Sequence, residues 1–248
     1  MADSLVFVGR SVRHSVRSID AIMIAVLLPV LILLLFVYVF GGAIDPSGHY
    51  ANYVVPGIIL LCTGYGAAST AVDVAQDMAE GVVDRFRSMP ILSSAVLTGH
   101  VVASVARNAL ATVLVIGVAF LTGFRPDAGV LEWLAVAGVL LLWVLALSWV
   151  AVCFGLIART VEGANGFTFL VLFLPYLSSA FVPVETMKAG LRAVAANQPV
   201  TPITETLRGL LLGTPIGSHG WQAVLWCGAL LIGAYGAASV LFRRRTAG

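Results

Sequence analysis

The 248-residue chain carries 14 Lys+Arg against 12 Asp+Glu, and 60% of its residues are hydrophobic while only 10% are charged. A soluble domain of this length has nowhere to bury so much apolar surface, and a formal net charge of +2 gives no basic face for a nucleic-acid partner. The composition is that of an integral membrane protein.

A membrane helix needs about 20 apolar residues to cross about 30 Å of hydrocarbon. Six charge-free runs meet or approach that length: 21–40, 54–72, 108–124, 133–158, 163–184 and 221–242. The expected fold is therefore all-α, a single transmembrane domain over residues 1–248 with six membrane-spanning helices. Residues 1–18 precede the first run. Their Leu5, Val8, Val12 and Val16 fall near one helical face with Arg10, Arg13 and Arg17 opposite, a pattern that fits an interfacial helix in contact with lipids of the inner leaflet. A mobile basic tail is the alternative. The first run is longer than the roughly 7–15 residues of a signal-peptide core. It ends in "VFGGAIDP" without an A-x-A site, which favours a retained helix.

The first external loop, "GGAIDPSGHYAN", is a turn-rich connector, as is the later "GFRPDAG". In the second run "GYGAAS" nearly matches a dinucleotide fingerprint, but no strand precedes it and Ser69 replaces the last glycine. Gly64, Ala67, Ala68 and Ala71 read instead as a small-residue face for close helix packing, with Gly233 and Ala237 doing the same in the last run. Pro56 and Pro175 are expected to kink the second and fifth runs.

Between the second and third runs the charge is concentrated in "EGVVDRFRSMP". Read as a helix over 77–89, Asp77, Glu80, Asp84 and Arg87 form one polar stripe, and Met78, Val82, Phe86 and Met89 form an apolar stripe beside it. Pro90 ends the helix. Arg85 adds to the mixed charge, and the exposed aromatic Phe86 suits docking to a protein partner; a helix lying on lipid headgroups is the other reading. Asp73 ends the second run and Arg107 begins the third, at similar depth near the cytoplasmic margin. They either pair or snorkel separately to the interface.

The third external segment, 185–220, is longer and half apolar. Within it Ile203, Leu207, Leu210 and Leu211 line one helical face opposite Thr204, Glu205 and Arg208, with Gly213 as cap and Pro215 as stop. That helix either lies in the outer leaflet or dips into it under a cover of protein. With both termini inside, Arg10, Arg13, Arg17, Arg85, Arg87, Arg159, Arg243, Arg244 and Arg245 are cytoplasmic, nine in all. Arg125, Lys188, Arg192 and Arg208 are external, four in all. The asymmetry favours N-in and C-in.

The cysteines, Cys62, Cys153 and Cys227, stand in separate runs with no metal or redox spacing. No G-x-x-x-x-G-K-[ST], H-E-x-x-H or G-x-S-x-G is present, so this chain supplies no nucleotide loop, metal site or hydrolase elbow, and no catalytic residue is assigned. An ion-coupled carrier would want ionisable residues near the bilayer midplane, and the runs contain none.

The stretch "DMAEGVVDRFRSMPILSSAVLTGHVVASVARN" resembles the cytoplasmic connecting region of the ABC-2 type permeases, in their daunorubicin-resistance-like branch. "SSAFVPVETM" and "NQPVTPITETLRGLLLG" are similar to that family's fifth span and external segment, and "LLPVLILLLFVYVFGGAI" fits its first span. His100, where Arg or Lys is expected after "LTG", and Ala189, near which a proline often stands, are departures. The resemblance implies a permease subunit of an exporter in a bacterial cytoplasmic membrane. It further implies a second permease, identical or paralogous, and two separate ATPase subunits that bind ATP and Mg. The helix at 77–89, with Asp77, Glu80, Asp84, Arg85, Phe86, Arg87, Met89 and Pro90, would be the coupling element seated in the ATPase. Thr63, Thr70, Asn165, Thr168, Tyr176, Ser178 and Ser179 would be candidates to line a path for an amphiphilic drug, antibiotic or lipid. Hydrogen bonding between helices of one subunit is the alternative role for each.

Overall fold

The computed structural model describes residues 19–80, 94–158 and 160–246. The interfacial helix expected over 1–18 lies outside them. So do Asp84, Arg85, Phe86, Arg87, Met89 and Pro90 of the expected coupling helix. Among the described residues the chain is helical throughout, with no strand. The helices in order are α1 (Ile19–Leu34), α2 (Gly41–Ile44), α3 (Tyr50–Ala79), α4 (Ser94–Leu121), α5 (Val130–Ile157), α6 (Val161–Tyr176), α7 (Ala189–Ala196), α8 (Val200–Leu212) and α9 (His219–Thr246). A π-helical stretch, Leu35–Phe40, joins α1 to α2 and makes one continuous rod of the first span.

Among the described residues five segments are long and apolar enough to cross a membrane: Ala25–Ile44, Tyr50–Ala79, Val96–Leu121, Val130–Ile157 and His219–Arg244. The run expected as the fifth of six spans, 163–184, is built differently. Thr160 caps α6 by accepting from the N–H of Gly163, and the helix ends 16 residues later at Tyr176. Sixteen residues are about 24 Å at 1.5 Å each, short of a full crossing. The physical reason is Pro175, which brings no N–H to the last turn and crowds the carbonyl four residues back. Ser178 then competes for the backbone: its hydroxyl donates to the Pro175 carbonyl and accepts from the N–H of Ala180. Residues 177–182 are non-helical as a result. Such backbone is tolerated at membrane depth only inside protein, and Ser178, Ser179, Ala180 and Phe181 are all buried.

α3 is the centre of the bundle and packs against α1, α4, α5, α6 and α8. Small residues bring the neighbours close. Gly57 lies against Ala180, Gly64 against Val171 of α6, and Gly66 against Asn108 of α4, while Ala67, Ala68 and Ala71 are fully buried. In the last span the small-residue face is displaced by one residue from the expected one. Gly233 and Ala237 are exposed, and Ala234 and Ala238 pack instead. A second apolar cluster closes the inner end, where Val74, Leu97, Val101, Trp149, Leu156 and Phe242 meet.

α8 does not lie flat on a surface. Ile203, Leu207 and Leu211 are fully buried, and Thr204 and Arg208 on the other face are buried as well. The helix dips into the bundle against α3, α5 and α9, and Gly213, with φ +66°, reverses the chain at its end as a left-handed cap. Cys62, Cys153 and Cys227 are free and buried. In the loop between α2 and α3 the N–H and hydroxyl of Ser47 donate to Asp45 and hold its carboxyl below the usual range.

Candidate functional site: the two ends of the central helix

α3 has 30 residues, about 45 Å, and so outreaches the hydrocarbon by several turns. The excess at its inner end carries Asp73, Asp77 and Glu80. Asp77 is in the last turn and Glu80 caps it, so the first residues assigned to the coupling element are continuous with the second span. Arg107 of α4 is buried, and both terminal nitrogens lie 3.4 Å from the Asp73 Oδ2. One of them also reaches the Gly66 carbonyl at 3.5 Å and the Thr70 hydroxyl at 3.4 Å. A second link lies nearer to segment 81–93, where His100 Nε2 and Asp77 Oδ2 are 2.9 Å apart. Gln76 donates its amide to Glu80. The two helices that enter and leave segment 81–93 are thus joined twice across their inner ends. Sequence reading had singled out His100 only as a departure from a basic residue; the pattern that points to Asp77 is a weak base on the helix facing an acidic stripe.

The outer end is held by a denser network. Tyr50 donates to the Phe181 carbonyl at 2.7 Å and Tyr53 to the Ser179 carbonyl at 2.9 Å. Arg208 of α8 reaches the same place from the other side. Its guanidinium donates to the Tyr53 carbonyl at 3.0 Å and to the Ser179 carbonyl at 2.9 Å, pairs with Glu205, and stacks 3.8 Å over the Tyr53 ring. The Thr201 hydroxyl accepts from the N–H of Ser179 and donates to the Ala195 carbonyl. Beside them Phe36, Phe181 and Tyr176 form a stack that joins the first span to α6. Nothing in the amphipathic reading of α8 placed Arg208 here. The available signal was a lone arginine, three residues after a glutamate, in a helix otherwise rich in Leu and Thr.

The residues put forward for a substrate path divide in two. Thr63, Thr70, Ser178 and Ser179 are buried inside this one chain. The Thr63 hydroxyl donates to the Leu60 carbonyl, and Thr70 and Ser178 make the contacts given above. Asn165 and Tyr176 are on the open face of α6, with Thr168 partly covered beside them. Among the described residues no group of His, Cys, Asp and Glu side chains is arranged to hold a metal ion.

Long apolar helices around a polar-clamped central span define a multi-pass membrane protein. Residues 4–212 match the ABC-2 type transporter family, and the chain belongs to it. It is 31% identical to the daunorubicin resistance ABC transporter permease protein DrrB1 of Streptomyces coeruleorubidus, over 76% of this chain and 68% of that protein. It is 23% identical to the probable doxorubicin resistance ABC transporter permease protein DrrC of Mycobacterium tuberculosis, over 94% of this chain and 85% of that protein. The chain is a membrane transport subunit and not itself an enzyme; ATP hydrolysis belongs to a separate subunit. Permeases of this family work with ABC ATPase partners.

Proposed function

We propose that the chain is one of two permeases, identical or paralogous, that assemble with two ATPase subunits to export an amphiphilic compound across a bacterial cytoplasmic membrane. Both termini are cytoplasmic. The crossings number six, α6 being completed through the buried turn 177–182, and the helix at 1–18 rests on the inner leaflet. ATP and Mg are bound by the partner. The amphiphilic cargo is an inference from relatives named for daunorubicin and doxorubicin resistance and from an α6 face on which Asn165, Thr168 and Tyr176 interrupt apolar side chains.

The observation that carries the reading is the extension of α3 beyond the hydrocarbon into ion-paired inner ends that flank 81–93. Segment 77–89 is thereby delivered to the cytoplasmic side on two braced helices, where Asp84, Arg85, Phe86, Arg87, Met89 and Pro90 seat in the ATPase. The test is co-purification of the ATPase with wild type and with a permease carrying Asp84→Lys and Phe86→Ala. We expect the double variant to insert normally but to lose the ATPase, or to leave its hydrolysis uncoupled. Undiminished co-purification and coupling would make 77–89 a lipid-surface helix and sink this part of the reading.

A further inference from the structure

The network at the outer end holds together three pieces of chain that no regular secondary structure joins: the start of α3, the turn 177–182, and α8. One side chain touches all three. Arg208 belongs to α8, and its other acceptors are main-chain carbonyls, Tyr53 on α3 and Ser179 in the turn. A guanidinium is suited to this, because its rigid fork serves several acceptors at once, whereas an ammonium is a single point charge on a flexible stem. The site is also nearly dry. Arg208 is 7% exposed, so each contact is worth more than in water and each would have to be surrendered for the pieces to part.

Other contacts make the arrangement two-sided. Tyr53 offers its ring to the cation, its carbonyl to the fork, and its hydroxyl to the same Ser179 carbonyl that Arg208 uses. Gly57, one turn further on, has no room for a side chain because Ala180 is pressed against it. The Ser179 hydroxyl is buried without a partner among the described residues, a cost that this closed packing leaves in place and that access of water would relieve.

We propose that Arg208 is the positioning residue that latches the outer end of this permease closed, and that its release from the Tyr53 and Ser179 carbonyls accompanies outward opening. The latch is a property of this chain's packing. Only its use in outward opening rests on the transport reading.

The experiment places a cysteine at Val200, which is buried at the start of α8, in a chain with Cys62 and Cys227 replaced by alanine. The native Cys153, buried toward the inner end against α9, is kept as the control. Maleimide labelling of both thiols is followed by mass spectrometry on the full chain in lipid nanodiscs. Arg208→Met should raise labelling at position 200 by about tenfold or more while leaving Cys153 unchanged, since a latch governs local opening and not global stability. Arg208→Lys should fall between, and Tyr53→Phe, which removes one donor to Ser179 and keeps the ring, should give a smaller rise. Unchanged labelling at position 200, or a parallel rise at Cys153, overturns the proposal. If Arg208→Met does not accumulate, Tyr53→Phe decides by the same two criteria. Efflux measured on the same variants in cells reports on the transport reading separately, because labelling needs neither cargo nor ATPase.

Discussion

Gly57 and Gly233 stand in spanning helices of one protein and should answer the same substitution oppositely. A Cβ on Gly57 would lie 2.5 Å from that of Ala180 and 2.8 Å from the Ala180 carbonyl oxygen, inside the contact that lets the turn press onto α3. Overpacking of this kind costs about 1–3 kcal/mol. A Cβ on Gly233 meets nothing within 4 Å, and alanine there removes backbone freedom from the unfolded chain, a gain of about 0.5–1 kcal/mol. Gly57→Ala should therefore lower the thermal midpoint in detergent while Gly233→Ala leaves it level or raises it; equal responses would show that the turn does not bear on α3. Sequence reading had matched the small residues of the second span correctly and missed those of the last by one position. The cause is physical. α9 is apolar around most of its circumference, so composition does not mark the face that meets protein. α3 is enclosed by five neighbours, and Gly57, Gly64, Gly66, Ala67, Ala68 and Ala71 are buried although they point in several directions.

At the scale of elements, the ion pair between α3 and α4, Arg107 with Asp73, is an unequal partnership. The Arg107 side chain is 7% exposed and that of Asp73 is 44% exposed. Removing the carboxylate strands a buried cation, whereas removing the arginine leaves a carboxylate that water can solvate. Asp73→Asn should therefore destabilise more than Arg107→Met, by about 1 kcal/mol once the exposure of Asp73 is discounted. The comparison is made by thermal unfolding of the two variants. A larger loss for Arg107→Met would mean that the arginine acts through packing and not through charge. The pairing of these residues was one of two alternatives open to sequence reasoning, because depth along each helix can be counted from the run lengths. The rotation that turns them toward one another cannot. The end of α6 was legible in its parts, Pro175 followed by two serines, but the apolar run continues through them to Val184, and hydropathy alone reads a single crossing. What decides the break is the availability of α3 and α8 to satisfy the freed backbone, a tertiary property.

Across the whole molecule, the membrane class, the all-helical fold and five of the crossings were written in composition and run length, and the family in the resemblance carried by the stretches 77–108, 178–187 and 197–213. The outer network was not, because its members come from distant stretches, Tyr53 and Arg208 being 155 residues apart, and share no local pattern. One consequence concerns how the chain enters the bilayer in the first place. α3, the most enclosed span, is also the least apolar of the five, with mean hydropathy 1.5 against 2.7 for the first span, and its inner end bears three carboxylates. A helix of this kind gains little from lipid when it leaves the translocon alone, since charged and polar positions oppose insertion. It becomes stable when α4 arrives with Arg107 and His100 and the pair goes in as a hairpin. Chains truncated after residue 80 and after residue 129, each fused to a glycosylation or phosphatase reporter, should separate the cases. Poor integration of α3 in the first and efficient integration in the second is the expected outcome, and equal efficiency would show that the span inserts unaided. The core of this permease would then be assembled by its biosynthetic order, with the first span serving as the anchor that holds the chain in place until the centre can be filled.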